Sequence, residues 1–324
     1  MAGGQERILR NRIRTVQATK KITRAMELIA ASRIVKAQQR VHAAVPYSEQ
    51  ITEVVRHLAA VGATSDSPFL VGRGDQEKTV GYVIVTADRG LCGGYNSGVL
   101  RAAEGEIREA ALQGKDHLTV AVGRKAEAYL RFRGYKLDRT FSGFSDSPTY
   151  EDAREVAEHA MDLYNEGRVD RVELVYTRFV SAGNQEVVQR PLFPLEPELV
   201  SAPAGGSGAG HGAADGPNAD YEYEPSPSAI LDTLVPRYVT ARMYAAFLNA
   251  AASEHAFRQR AMKAATDNAD ELNKTLTRDM NPARQDAITT EIMEIVGGAE
   301  ALSADKRHDD SATHILELLD PQGV

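Results

Sequence analysis

Read by period, the apolar positions of this chain divide it into two long helical ends and an alternating middle. At the front, Ile22, Met26 and Ile29 recur at helical spacing, and Ile51, Val54, Val55 and Leu58 do so again further on. At the back, Met262, Ala265, Ala269, Leu272 and Leu276 step by 3 and 4, and Ile288, Ile292, Ile295, Ala299 and Leu302 resume the rhythm. Two apolar positions per heptad make a seam too narrow for a globular core and suited to a coiled coil. Stripes at opposite ends of one sequence bury each other by pairing antiparallel. The expected fold is therefore α/β plus a long antiparallel coiled coil, with the terminal helices forming a shaft and a Rossmann-like, mostly parallel α/β domain between them.

The boundaries follow from the same pattern. Residues 1–75 carry the first long helix, expected from Gln5 to Val61 and about 80 Å long at a rise of about 1.5 Å per residue. Pro46 should bend it locally. Residues 76–200 alternate strand and helix: strands at Val80–Ala87, Leu118–Val122 and Arg171–Val180, an extended segment at Glu186–Leu195, and helices at Ser97–Leu112, Arg124–Phe132 and Thr149–Asn165. Thr149 with Asp152 three positions on reads as a capping box. Such alternation implies a mostly parallel sheet. Residues 201–225, rich in Gly, Ala, Ser and Pro, read as a flexible loop. Residues 226–302 form the second long helix, from about Ser228 and broken at Pro236 and Pro282, and 303–324 a charged tail.

Charge sharpens this picture. The chain has 324 residues and a net charge of −7, yet Gln5–Arg40 holds ten Lys/Arg against two Glu, a local excess of eight. The basic residues are spread over several helical faces without interleaved aromatics, which argues against nucleic acid and for an acidic protein partner. The single Cys, Cys92, excludes an internal disulfide and fits a reducing compartment. No apolar run approaches the roughly 18–20 residues that cross a bilayer.

The residue chemistry shows no active site. The turn Asp88–Asn96 (DRGLCGGYN) follows a strand and precedes a helix, where a dinucleotide fold cradles phosphate. Its spacing is G-x-x-G-G, however, and no ribose-binding acid follows the second strand, so a tight structural turn is the better reading. Cys92 lacks a sequence-adjacent base, and the eight His form no ligand pair. No cofactor and no metal is expected.

Four segments carry a resemblance: Arg12–Arg33 (RIRTVQATKKITRAMELIAASR), Thr86–Asn96 (TADRGLCGGYN), Met262–Asn268 (MKAATDN) and Ala283–Gly298 (ARQDAITTEIMEIVGG). In this order they resemble the gamma subunit of F-type, proton-translocating ATP synthase over about residues 5–200 and 221–302. The resemblance implies a central rotor stalk inside a hexamer of alpha and beta subunits. It also implies contact with the epsilon subunit and the membrane c ring, active sites on the beta subunits, and a peripheral place on the cytoplasmic side of the cell membrane. Head-contact positions would be Met26, Arg33, Lys36, Arg258, Arg284, Gln285 and Thr289. Ile288, Ile292 and Ile295 would form an apolar bearing, and Tyr221 and Tyr223 would meet the c ring. Pro282 departs from the family pattern, so a bend is expected near Arg278–Pro282. The tail after Leu302 lies outside the match and should protrude from the hexamer or be disordered. Two other readings remain open on residues alone: a nucleotide-dependent α/β enzyme with helical extensions, and an unrelated coiled-coil scaffold.

Overall fold

The computed structural model describes residues 2–60, 69, 77–195, 224 and 226–318, with residues 2, 3, 56, 59, 60, 227 and 301–318 described by backbone alone. In chain order the elements are α1 (Ala2–Ala60), β1 (Thr79–Val85), α2 (Tyr95–Leu112), β2 (Asp116–Val122), α3 (Arg124–Arg133), β3 (Leu137–Phe141), α4 (Tyr150–Asn165), β4 (Arg171–Phe179), β5 (Gln185–Phe193) and α5 (Pro227–Leu318). The chain divides into two compact units. One joins Met1–Arg24 to Ala264–Val324, and the other spans Ala25–Lys263.

The first unit is a two-helix antiparallel pair. Lys20 forms an ion pair with Asp270, and the Thr23 and Thr266 hydroxyls lie 2.8 Å apart. The numbers of facing residues thus sum to 289 or 290. On α1 the inward positions here are Glu6, Leu9, Ile13, Val16, Lys20 and Thr23, and on α5 Thr266, Ala269, Asn273, Leu276, Met280, Ala283 and Ala287. Both runs alternate 3 and 4, the heptad signature of knobs-into-holes packing. The expected seam is therefore corrected by one position at several places. Ile22 is 61% exposed and Leu272 41% exposed, while Thr23 and Thr266 are buried. Polar residues occupy seam positions because their hydroxyls satisfy each other across the interface, a pairing that an apolar-only count overlooks.

The 3–4 spacing continues along α1 in the second unit through Glu27, Ala30, Ile34, Ala37, Val41, Ala44, Ser48, Ile51, Val55 and Leu58, all buried or half-buried. Ile29, expected in the seam, is exposed. Neither Pro46 nor Pro236 nor Pro282 interrupts helical structure, so the breaks expected at the α5 prolines do not occur, and α5 extends past Leu302 to Leu318. A proline removes one backbone hydrogen bond, and here the neighbouring turns continue past it.

The sheet has the order β3-β2-β1-β4-β5, with parallel pairs throughout except the antiparallel β4–β5 hairpin. β1 is buried along all but its first residue, as a central strand covered on both faces must be. On one face α2 and α3 bury Val99, Leu100, Ile107 and Leu130 against Tyr82 and Ile84. On the other, α4, the Ile51–Leu58 segment of α1 and the Leu231–Ala250 segment of α5 enclose the larger core with Val83, Val122 and Leu174. The capping box is present: Asp152 N donates to Thr149 Oγ1 and Thr149 N to the Asp152 carboxylate. β3, with sequence LDRTF, was not expected. It is a short edge strand with charged residues, and nothing in its period separates it from a loop.

Candidate partner-binding surfaces

Two surfaces collect the residues singled out by sequence. The first belongs to the terminal unit. By the pairing register, Ala2 at the start of α1 is level with about residue 287 of α5. Beyond that point α5 continues without α1 beside it. Every residue from Ile288 to Glu300 is exposed, including Ile288 (46%), Ile292 (55%) and Ile295 (67%). Met293 and Val296 are exposed as well. Arg284 and Gln285 also face solvent, and Thr289 Oγ1 donates back to the Gln285 carbonyl at 2.9 Å. A large apolar run rimmed by polar residues and left uncovered by the described residues has the composition of a docking surface.

The second surface lies in the body and gathers parts from four distant segments. Arg33 and Arg89 both form ion pairs with Asp146. Arg40 Nη1 donates to Ser147 Oγ at 2.7 Å. Lys36 is exposed nearby, and Arg33, Lys36, Arg40, Asp146 and Ser147 line a cavity of about 300 Å³ together with Ala37, Leu248 and Ala251. Beneath, His255 Nε2 lies 3.1 Å from the Asp146 carbonyl. Burial pushes that imidazole down to about 4, so it is neutral at ordinary pH, and its bond to a carbonyl makes Nε2 the protonated nitrogen. Asp146 is held below the usual carboxylate range by Arg89 and Arg33, which outweigh its partial burial.

Arg258, expected at a partner contact, is instead buried. Its guanidinium reaches the Gly90 carbonyl at 3.3 Å and lies 2.7 Å from the buried Glu254, whose carboxyl is raised by burial despite that cation. It braces the glycine-rich turn against α5. Met26 is half-buried. Tyr221, Tyr223 and the 201–220 part of the loop fall outside the described residues.

The glycine-rich turn is internally complete. Asp88 accepts the backbone N–H groups of Arg124, Gly143 and Ser145, which ties the turn to the start of α3 and to the loop after β3. Asn96 accepts from Ala87 N and donates to Cys92 Sγ. Cys92 is buried, and burial raises its thiol, the opposite of what a nucleophile needs. Gly93 has φ +56, a backbone conformation that favours glycine. These features make the segment a structural turn. Among the described residues no cluster suited to a metal ion occurs, and no helix is long and apolar enough to cross a membrane.

Sequence reasoning had missed Asp146, Ser147, Arg89, Glu254 and His255. They lie far apart along the chain, and only the fold assembles them.

The chain matches the family model described as ATP synthase over residues 5–302. It is 49% identical to the ATP synthase gamma chain of Parafrankia sp. over 305 residues, covering 93% of this chain and 99% of the relative. Against the ATP synthase gamma chain of Mycolicibacterium smegmatis identity is 46% over 314 residues, with 93% and 98% covered. In fold it is similar to a chain of the Euglena gracilis mitochondrial ATP synthase OSCP/F1/c-ring structure, with TM-score 0.65, 20% identity, and 94% and 96% of the two chains covered. A second Euglena gracilis chain, from the rotor in rotational state 1, gives TM-score 0.61 at 17% identity over 88% of this chain and 99% of that one. With a near full-length family match and near full-length relatives approaching half identity, the chain belongs to the ATP synthase gamma chain family.

Proposed function

We infer that this chain is the central rotor stalk subunit of an F-type ATP synthase, carrying rotation between a membrane c ring and a catalytic alpha/beta hexamer. The observation that carries this is the unaccompanied stretch of α5, with Ile288, Ile292 and Ile295 exposed. Apolar side chains attract without direction, so a greasy helix can turn inside a sleeve without one angle being locked by hydrogen bonds. Arg284, Gln285 and Thr289 rim the same stretch and would touch the hexamer there. In the body, the cationic cavity of Arg33 and Lys36, with Met26 on the same helix, is suited to acidic segments of alpha or beta. Tyr221 and Tyr223 are assigned to the c ring, with the epsilon subunit on the body. On this reading the active sites belong to beta, and the chain is peripheral to the cell membrane on its cytoplasmic side. A nucleotide-dependent enzyme is disfavoured because the turn's spacing is not that of a dinucleotide fingerprint and its polar side chains Asp88 and Asn96 are already bonded to backbone N–H groups of the fold.

Mixing the chain with alpha and beta subunits should yield a soluble ATPase complex in which a bead on the α/β body rotates. An Ile288→Asp, Ile292→Asp double variant should leave the free chain as stable as wild type and lower the complex's ATPase several-fold. Failure of the wild-type chain to form a complex sinks the reading, as does full activity of the double variant.

A further inference from the structure

A heptad seam holds two helices together without fixing how far one has slid or turned against its support. Shifted by seven residues, the same apolar positions meet equivalent neighbours, and the contacts have no direction. A helix that must carry torque into a folded body needs directional ties as well. In the body, α1 carries ties of this kind, among them a pair one heptad apart on the same helical face: Arg33 to Asp146 and Arg40 to Ser147. Both end on consecutive residues of the loop between β3 and α4.

That loop is itself fastened in three further directions. Asp88, at the end of β1, accepts the N–H groups of Gly143 (2.8 Å) and Ser145 (3.1 Å), and Asp88 N donates to Ser145 Oγ at 2.9 Å. Arg89, in the glycine-rich turn, shares the Asp146 carboxylate with Arg33. His255 of α5 holds the Asp146 carbonyl. One side chain and its own backbone thus receive α1, the β1 turn and α5. Gly143 sits at φ +104, a conformation that glycine adopts freely and that lets the loop turn under Asp88.

The geometry points to Asp146 as the positioning residue that locks the rotary angle of α1 to the α/β body, so that torque passes between them without slip. This rests on the rotor reading above. Asp146 touches no reacting group and acts only by holding Arg33 and Arg89. Its ion pairs are partly exposed, and such pairs contribute little to static stability. Loss of the clamp should therefore appear under load and not as unfolding.

The test uses the complete membrane-bound complex in inverted vesicles, measuring proton uptake and ATP hydrolysis on the same sample. Asp146→Asn should lower proton uptake per ATP hydrolysed at least threefold, whatever its hydrolysis rate, and Asp146→Glu, which keeps the charge, should restore most of that ratio. An unchanged ratio in Asp146→Asn overturns the proposal. So does a parallel loss of assembled complex and hydrolysis at constant ratio, the mark of a merely structural residue. If Asp146→Asn does not assemble, Ser147→Ala severs the second tie by removing one hydroxyl, and the ratio is read in the same way. Wild-type vesicles that neither hydrolyse ATP nor take up protons would sink the rotor reading itself, a result distinct from coupling that survives loss of the clamp.

Discussion

Replacing Leu276 by Ala, and separately Leu272 by Ala, discriminates between two registers of the shaft. Leu276 is 5% exposed and, by the pairing register, level with Ile13, which is 9% exposed. Leu272 is 41% exposed. Buried Leu→Ala substitutions cost about 2–5 kcal/mol, and a two-helix interface covers each side chain on one side only, so the low end applies. About 2 kcal/mol is a factor of about 30 in local opening. Isolated helices are marginal in water, so a loss of that size is a large share of what holds the pair closed. Amide hydrogen exchange on the full chain should show Leu276→Ala losing about 30-fold protection in residues 6–23 and 266–287. β1 and β2 should be unaffected, because the pair opens without unfolding the body. Leu272→Ala should change protection by less than about threefold, as surface substitutions do. Equal effects of the two variants, or a larger effect at Leu272, would refute the seam through Thr266, Ala269, Asn273 and Leu276.

Three more outcomes follow from the body. Gly123 has φ +96, and a Cβ there would lie 2.3 Å from the Thr86 carbonyl oxygen, so Gly123→Ala should cost at least about 3 kcal/mol and lower the body's thermal midpoint. Gly143→Ala meets no atom within 4 Å and should cost only the backbone strain of about 1–2 kcal/mol. His255 takes its proton near pH 6.5 in the unfolded chain and only at about 4 in the folded one. Its contribution is therefore complete above pH 6.5 and is lost as pH falls towards 4, by about 2 kcal/mol between pH 7 and 5. Lowered Asp146 loses stability in the same direction, while the raised Glu254 carboxyl opposes it. Denaturant titrations at pH 7 and 5 should show the loss, and His255→Gln should flatten it; an equally steep dependence in the variant would assign it elsewhere.

The apolar periods were enough to identify two long terminal helices around a parallel α/β body. Helix period and buried β runs such as Val80–Val85 are local properties written in consecutive residues. The capping box at Thr149 was legible for the same reason. The edge strand β3 was not, because five residues with two charges carry no period, and only the neighbouring β2 makes them a strand.

Which face of each helix turns inward was decided by tertiary structure. Sequence alone favoured Ile22 and Ile29 over Thr23 and Glu27 because it ranks side chains by hydrophobicity. In the folded chain Thr23 meets Thr266 and Lys20 meets Asp270, so polar seam positions cost little and the isoleucines face outward. The clamp on Asp146 lay further out of reach. Its partners stand at positions 33, 89 and 255, and no local period encodes a meeting between residues more than fifty positions apart. Composition and period determine what elements this chain forms, but long-range contact determines which of their side chains remain free to meet a partner.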